Sequence, residues 1–288
     1  MKSRNLREEV PPDKCPSPLV TALIVTRNRP DELRLTLRRL QEQDYEPIEL
    51  IVVDDNSDQP LAGIVAQEWP TGKALRNDKN LGPSESRSLG MGLARGLYIL
   101  SLDDDSCLTD PQDLKRAVLR MTAGPQIGAL AFLIHNGPLP PESAEHAGQE
   151  CLLHTFIACG AMIRAEVVRS LGGYHNFYGY YGEENEYALR MIANGWSVTY
   201  FPSVVVHHRV SPLGRPQGRM WALSLRNNIW TIALHLPARR VPVEICWKLA
   251  VGLWDATRLL RIHWLGWACG SAAAGLPRIL KLRKPISP

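Results

Sequence analysis

The most constraining feature of the chain is an alternation. Short apolar runs rich in β-branched residues recur between stretches of helical periodicity, and the strongest runs end in polar or acidic residues. Leu19–Thr26 (LVTALIVT), Ile48–Val53 (IELIVV) and Leu97–Leu102 (LYILSL) read as strands buried on both faces. Between them, Pro30, Asp31 and Glu32 suit the start of a helix whose Leu33, Leu37 and Leu40 share one side. Leu61–Trp69 and Ser84–Arg95 read as helices, and Ala74–Arg76 as a short strand. Continuously apolar strands joined by helices predict an α/β fold: a mostly parallel central sheet with helices on both faces.

The second half extends the pattern. Asp110-Pro111 reads as the opening of a helix to Thr122, followed by strand Ile127–Leu133 and a loop over residues 134–155. Phe156–Ile163 predicts a strand, Ala165–Leu171 a helix, and Glu184–Asn194 a helix capped by Gly195. Val198–Phe201 and Val204–His207 read as two short strands. Three divisions follow: a loose arm over residues 1–18, a main α/β domain over 19–210 with halves at about 19–106 and 107–210, and a helical extension over 211–288. The boundary is placed in the loop Ser211–Gly218.

In such sheets ligands bind beyond the carboxyl ends of the strands. After the first strand comes Arg27-Asn28, after the second Asp54 to Asp58, and after LYILSL the run Asp103-Asp104-Asp105. Two acidic clusters on one sheet edge require a cation between them. Carboxylates two apart suit one hard divalent ion, Mg²⁺ or Mn²⁺, which can bridge a diphosphate. Asp54 and Asp55 can accept from a base or ribose, Asn80 to Gly82 form a turn whose amides can face a phosphate, and Arg87 follows one turn later. Glu183 and Glu184 open a helix, where a general base can project into the cleft, and His207-His208 end a strand.

The ordered set TRNRP, IVVDDNSD, NLGPSESRS, LYILSLDDDS, CGAMIRAEVVRSLGGY, YGEENEYALRMIANGW and FPSVVVHH strongly resembles the family-2 glycosyltransferases of GT-A fold, inverting enzymes that include bacterial rhamnosyltransferases. The resemblance runs from about Leu19 to Asn228. It implies that Asp103 and Asp105 form the pair that binds the metal and the nucleotide-sugar, with Asp104 contacting the nucleotide. It implies that Thr26, Arg27, Asn28, Asp54 and Asp55 line the nucleotide pocket, and that His207 or His208 joins the metal. Glu184 matches the second acid of the family's Glu-Asp pair, the general base; because the longer side chain displaces the carboxylate, Glu183 is the other candidate. Arg226-Asn227 resembles a step found after the catalytic domain. The implied donor is a UDP-, dTDP- or GDP-sugar, and the acceptor a glycan or lipid-linked glycan of cell-envelope or natural-product biosynthesis.

Two other classes compete. A nucleotide-sugar binding module would keep the acids and lose the base, but Glu183 and Glu184 are both present. A nucleotidyltransferase would want a Gly-rich basic loop after the first strand, where this chain has Arg27-Asn28-Arg29-Pro30.

Charge is uneven. From His207 to Pro288 there are 13 Lys and Arg against 2 Asp and Glu, while the rest carries 20 against 27. Six of the eight Trp lie in that basic tail. Nucleic acid is not the expected partner, because the body is acidic and no nucleic-acid motif is present. The tail reads either as helices packed on the catalytic domain or as a surface resting on anionic membrane. Its longest charge-free stretch, Ile262–Pro277, is shorter than the roughly 20 residues that span a bilayer. The first residues, MKSRNLREEVPPDK, hold no apolar stretch of a signal peptide, and six scattered Cys fit a reducing compartment. The expected location is cytoplasmic, peripheral on the inner face of the cell membrane.

Overall fold

The computed structural model describes residues 17–137, 148–211 and 217–286. Most of the arm expected over 1–18, part of the loop 134–155, and residues 212–216 of the expected boundary lie outside them.

The first half builds as its sequence dictates. β1 (Val20–Thr26), β2 (Ile48–Asp54), β3 (Lys73–Arg76) and β4 (Tyr98–Asp103) are all parallel, in the order β3-β2-β1-β4. Alternate side chains of β1 serve two cores. Val20, Ala22 and Ile24 pack with α1 (Pro30–Gln41), α2 (Ala62–Glu68) and α4 (Asp113–Ala123). Leu23 and Val25 pack with α3 (Pro83–Leu93), α5 (Ala165–Leu171) and α6 (Glu183–Ala193). Period-two alternation thus puts a helical layer on each face. α1 carries Pro30 in its first turn, Asp31 and Glu32 at its positive end, and buries Leu33, Leu37 and Leu40.

The second half is mixed. β4 pairs antiparallel with β8 (Gly160–Arg164), β8 antiparallel with β6 (Ile127–Asn136), and β6 parallel with β9 (Ser197–His208). Two short strands, β5 (Ser106–Leu108) and β7 (Cys151–Leu153), pair antiparallel with β9. The parallel expectation therefore holds through β4, and the antiparallel strands beyond it close the sheet.

Four local expectations differ. The helix expected at Asp110 starts at Asp113, because Asp110 and Asp113 spend their carboxylates on backbone amides of Gln112, Thr109 and Asp110 in a preceding turn. β8 starts at Gly160 rather than Phe156. β6 runs on to Asn136, into the expected loop. The two short strands at 198–207 are one strand, β9, with a register shift between the pairs Phe132–Phe201 and Leu133–Val205 that skips Pro202.

Three helices follow: α7 (Gln217–His235), α8 (Val241–Arg258) and α9 (Ile262–Lys281). They share a small core of Ala222, Leu225, Ile229, Ala268 and Ala272. α7 is also bound to the preceding α/β domain: Tyr178 and Thr231 hydroxyls meet at 2.7 Å, and His235 Nε2 lies 2.8 Å from Glu186 Oε1. None of the described helices is long and apolar enough to cross a membrane.

Candidate active site

Register brings the acids together. Val25 of β1 is level with Asp103 of β4, and Thr26 with Asp54 of β2, so three strand ends meet at one edge. The cation that these acids require is supplied by the chain as arginine. Arg29 Nη1 lies 3.0 Å from Asp104 and 3.3 Å from Asp105, Arg76 lies 2.7 Å from Asp54, and Arg87 pairs with Asp103. Burial still pushes the Asp104 carboxyl up to about 6, against the pull of Arg29.

A cavity of about 400 Å³ opens at this edge, lined by Thr26, Arg27, Asn28, Asp55, Asn80, Arg87, Asp103 and Asp104. Arg29, Pro83 and Tyr180 line it as well and carried no role in the sequence reading. Thr26 Oγ1 donates to Asp104 at 2.9 Å and thereby orients that carboxylate. Asn28 takes φ 57°, and its side chain and amide both bond the Ser57-Asp58 turn, so β1 and β2 present one continuous rim.

Two residues expected in the nucleotide pocket do other work. Asp54 does not line the cavity: its carboxylate accepts from the amides of Ser57 and Leu61 and from Arg76, holding the turn after β2. The amides of Leu81 and Gly82, expected to face a phosphate, both donate to Asp55 at 2.8 and 2.9 Å. Gly82 is required for another reason. Its φ is 84°, and a Cβ there would sit 2.9 Å from the carbonyl oxygen of Gly179.

Of the two strand-end histidines, His208 joins the acids and His207 does not. Adjacent strand residues face opposite sides. His207 Nε2 sits 2.6 Å from the Gly137 carbonyl, whereas His208 Nε2 lies 3.3 Å from Asp105. Asn136 bonds His208 Nδ1 at 2.9 Å and fixes the ring, as partners of metal-binding imidazoles do. Ligand atoms of Asp103, Cys159 and His208 lie within 4.8 Å of one another. Burial and the charge of Asp103 hold the Cys159 thiol well above its usual range, so it stays protonated and is a poor ligand. What remains, carboxylate oxygen and imidazole nitrogen, fits a hard divalent ion.

The Glu183-Glu184 pair opens α6 behind this edge. Glu183 is buried, with Oε1 3.9 Å from Arg87 Nη1, so Arg87 links it to Asp103. Glu184 is partly open to solvent, and its Oε1 accepts from the Ala158 amide at 3.3 Å. Burial first, and then the neighbouring carboxylate, pushes Glu183 up to about 8; burial also raises Glu184, against Arg87. The loop before α6 is unusual: Gly179, Tyr181 and Gly182 all take positive φ, and the Tyr180 and Tyr181 rings stack at 3.8 Å. Buried Asn227 of α7 holds that loop, donating to the carbonyls of Tyr178, Tyr180 and Tyr181 at 3.1, 2.8 and 2.6 Å. The Arg226-Asn227 step thus acquires a structural purpose.

A parallel strand set ending in paired acids, a deep cavity beside them and a carboxylate pair at a following helix start define a nucleotide-sugar transferase fold of GT-A type. The profile of Glycosyl transferase family 2 matches residues 21–172, and the chain belongs to that family. It is 28% identical over 117 residues to an uncharacterized glycosyltransferase of Haemophilus influenzae, spanning 41% of this chain and 38% of that protein's length. It is 31% identical over 200 residues to the galactofuranosyltransferase GlfT1 of Mycobacterium tuberculosis, spanning 61% of this chain and 65% of the relative. The fold is similar to that of mannosyltransferase PcManGT from Pyrobaculum calidifontis, solved with GDP-Man and Mn²⁺. That likeness has a TM-score of 0.63 at 18% identity, over 93% of this chain and 77% of the other.

Proposed function

We propose that this glycosyltransferase moves a sugar from a nucleotide-diphosphate donor to an acceptor hydroxyl by one inverting displacement. The observation that carries the reading is that Asp103, Asp105 and His208 come together next to a cavity lined by Asp55 and Asp103, with the partly exposed Glu184 at the start of α6. The bound metal and sugar nucleotide of PcManGT support the donor class.

In this reading Asp103, Asp105 and His208 hold the divalent ion. When bound, that ion supplies charge stabilisation for the departing diphosphate. Asp55 and Asn80 take the nucleoside, and Arg27 and Arg29 flank the phosphates. Glu184 removes the acceptor proton as the oxygen attacks opposite the leaving group. Glu183, buried and paired with Arg87, sets the charge around that base. The acceptor is a glycan or lipid-linked glycan of the cell envelope, and α8 and α9 rest on the inner membrane face.

Replacing Glu184 by Gln tests the assignment. Donor affinity is expected to persist while transfer falls by about 100-fold or more. Wild-type turnover in Glu184→Gln removes Glu184 as the base. Wild-type protein that binds donor yet transfers to no hydroxyl would return the chain to a binding role.

A further inference from the structure

A second cavity, of about 500 Å³, adjoins the donor pocket and shares Arg27, Asn80, Pro83 and Tyr180 with it. Its other wall is the first half of α7, which contributes Arg219 and Arg226. Three arginines line it, and no Asp or Glu does. This contrasts with the rest of the site, where Arg29, Arg76 and Arg87 each meet a carboxylate. Neither Arg219 nor Arg226 makes an ion pair among the described residues.

Arg226 is built into place rather than loose. Its guanidinium lies 4.3 Å from the Trp230 ring centroid, Nε donates to Asn227 at 2.9 Å, and Nη2 donates to the Tyr178 carbonyl at 2.7 Å. Burial and the nearby charge of Arg219 pull its pKa down to about 10. A half-buried cation held against a second cation, with no counterion, is arranged at a cost that an arriving anion relieves.

We propose that this cavity is the acceptor subsite and that Arg219 and Arg226 bind a phosphate or diphosphate ester carried by the acceptor. The inference rests on the transferase reading above, which places the donor in the adjoining pocket. The surroundings favour an ester with an alkyl chain. Arg261 at the α8–α9 turn donates to Gln217 at 3.2 Å, and the Trp264 ring packs directly against Gly218. The first turn of α7 therefore lies against the α8–α9 turn, whose Leu259 and Leu260 are exposed and offer apolar surface to a chain leaving the phosphate.

Calorimetric titration of the full chain tests this, with the donor pocket filled by the nucleoside diphosphate that binds best. The probes are decyl diphosphate, glycerol 3-phosphate and decyl maltoside. Decyl diphosphate is expected to bind, the uncharged maltoside to bind at least tenfold more weakly, and Arg219→Ala to weaken the diphosphate at least tenfold. Arg226→Ala should do the same, with partial recovery in Arg226→Lys, while nucleotide affinity stays within twofold. Arg219 is exposed, so its variant remains informative if Arg226→Ala fails to fold. Glycerol 3-phosphate binding as well as decyl diphosphate supports the subsite with a soluble source of phosphate; a clear preference for the decyl ester supports a lipid source. Diphosphate binding indifferent to both arginines overturns the proposal, as does an equal loss of nucleotide affinity, which would assign them to the donor. Wild-type protein that binds nucleotide but no diphosphate overturns the subsite alone; one that binds neither overturns the transferase reading with it.

Discussion

Two adjacent carboxyls, Glu183 and Glu184, sit at one helix start with different surroundings. Glu183 is 1% exposed and faces Arg87, and Glu184 reaches toward solvent. Their mutual repulsion and burial keep a proton on the pair near neutral pH, with Glu183 pushed up to about 8. A base works only when ionised, and burial pushes the Glu184 carboxyl upward, so the transfer rate is expected to rise with pH above the usual carboxylate range before it levels off. Replacing Glu183 by Gln removes the neighbouring charge, so the rising limb should move to lower pH while activity persists. Activity that vanishes in this variant transfers the base role to Glu183, whereas an active variant whose limb stays in place refutes the coupling between the two carboxyls; a pH–rate profile beside the wild type decides. The acids were legible in the sequence because their order along the chain matches the strand ends. Arg29, Tyr180 and Cys159 were not, since each acts on residues brought near only by β-sheet register or loop closure. Asp54 holds the turn after β2, and an acid capping a turn and an acid facing a ligand look alike in sequence.

Element boundaries show what periodicity carries and what it misses. The parallel half was legible because its strands are apolar on both faces. β9 looked like two strands because Pro202 cannot donate to a ladder, and the register shift that bypasses it is a tertiary accommodation. α7 read as part of a separate extension, yet it holds the loop before α6. Asn227 makes three hydrogen bonds to a segment in which three of four consecutive residues, Gly179, Tyr181 and Gly182 among Gly179 to Gly182, have positive φ. Such a conformation persists only where its surroundings hold it. Asn227→Ala should therefore release the loop, lowering kcat by about 10-fold or more with donor Kd little changed, and costing roughly 1–3 kcal/mol of stability. Steady-state kinetics beside a denaturant melt separate the two effects. Unchanged kcat with lost stability would make Asn227 merely structural.

At the scale of the whole molecule, the charge asymmetry acquires a geometry. A helix on a water-soluble surface turns its polar stripe outward. α8 does the reverse: Glu244, Lys248 and Asp255 are half-buried, while Val243, Trp247, Val251 and Trp254 form the exposed stripe, with both Trp about two-thirds exposed. Leu259, Leu260, Ile262 and Trp267 are exposed as well, as are Arg258, Lys281 and Lys284, whereas Arg278 reaches Asn176 and Phe177. Arg283 is turned inward and donates to the Ala233 and Leu236 carbonyls. α7 packs on the preceding α/β domain, while the outer faces of α8 and α9 stay apolar and basic. Tryptophan at headgroup depth with arginine and lysine beside it matches an interface of anionic lipid, each cation contributing about 1 kcal/mol near such a surface. The full chain should float with vesicles of phosphatidylcholine and phosphatidylglycerol at low salt, and much less at high salt. Trp247→Ser with Trp254→Ser should abolish flotation while leaving donor binding intact. No flotation of the wild type at low salt removes the membrane role. A change in oligomeric state on light scattering, caused by the same double variant, would assign the stripe to a second copy of the chain. Attachment that survives alkaline carbonate would mean integral insertion, which helices of this length and polarity do not favour.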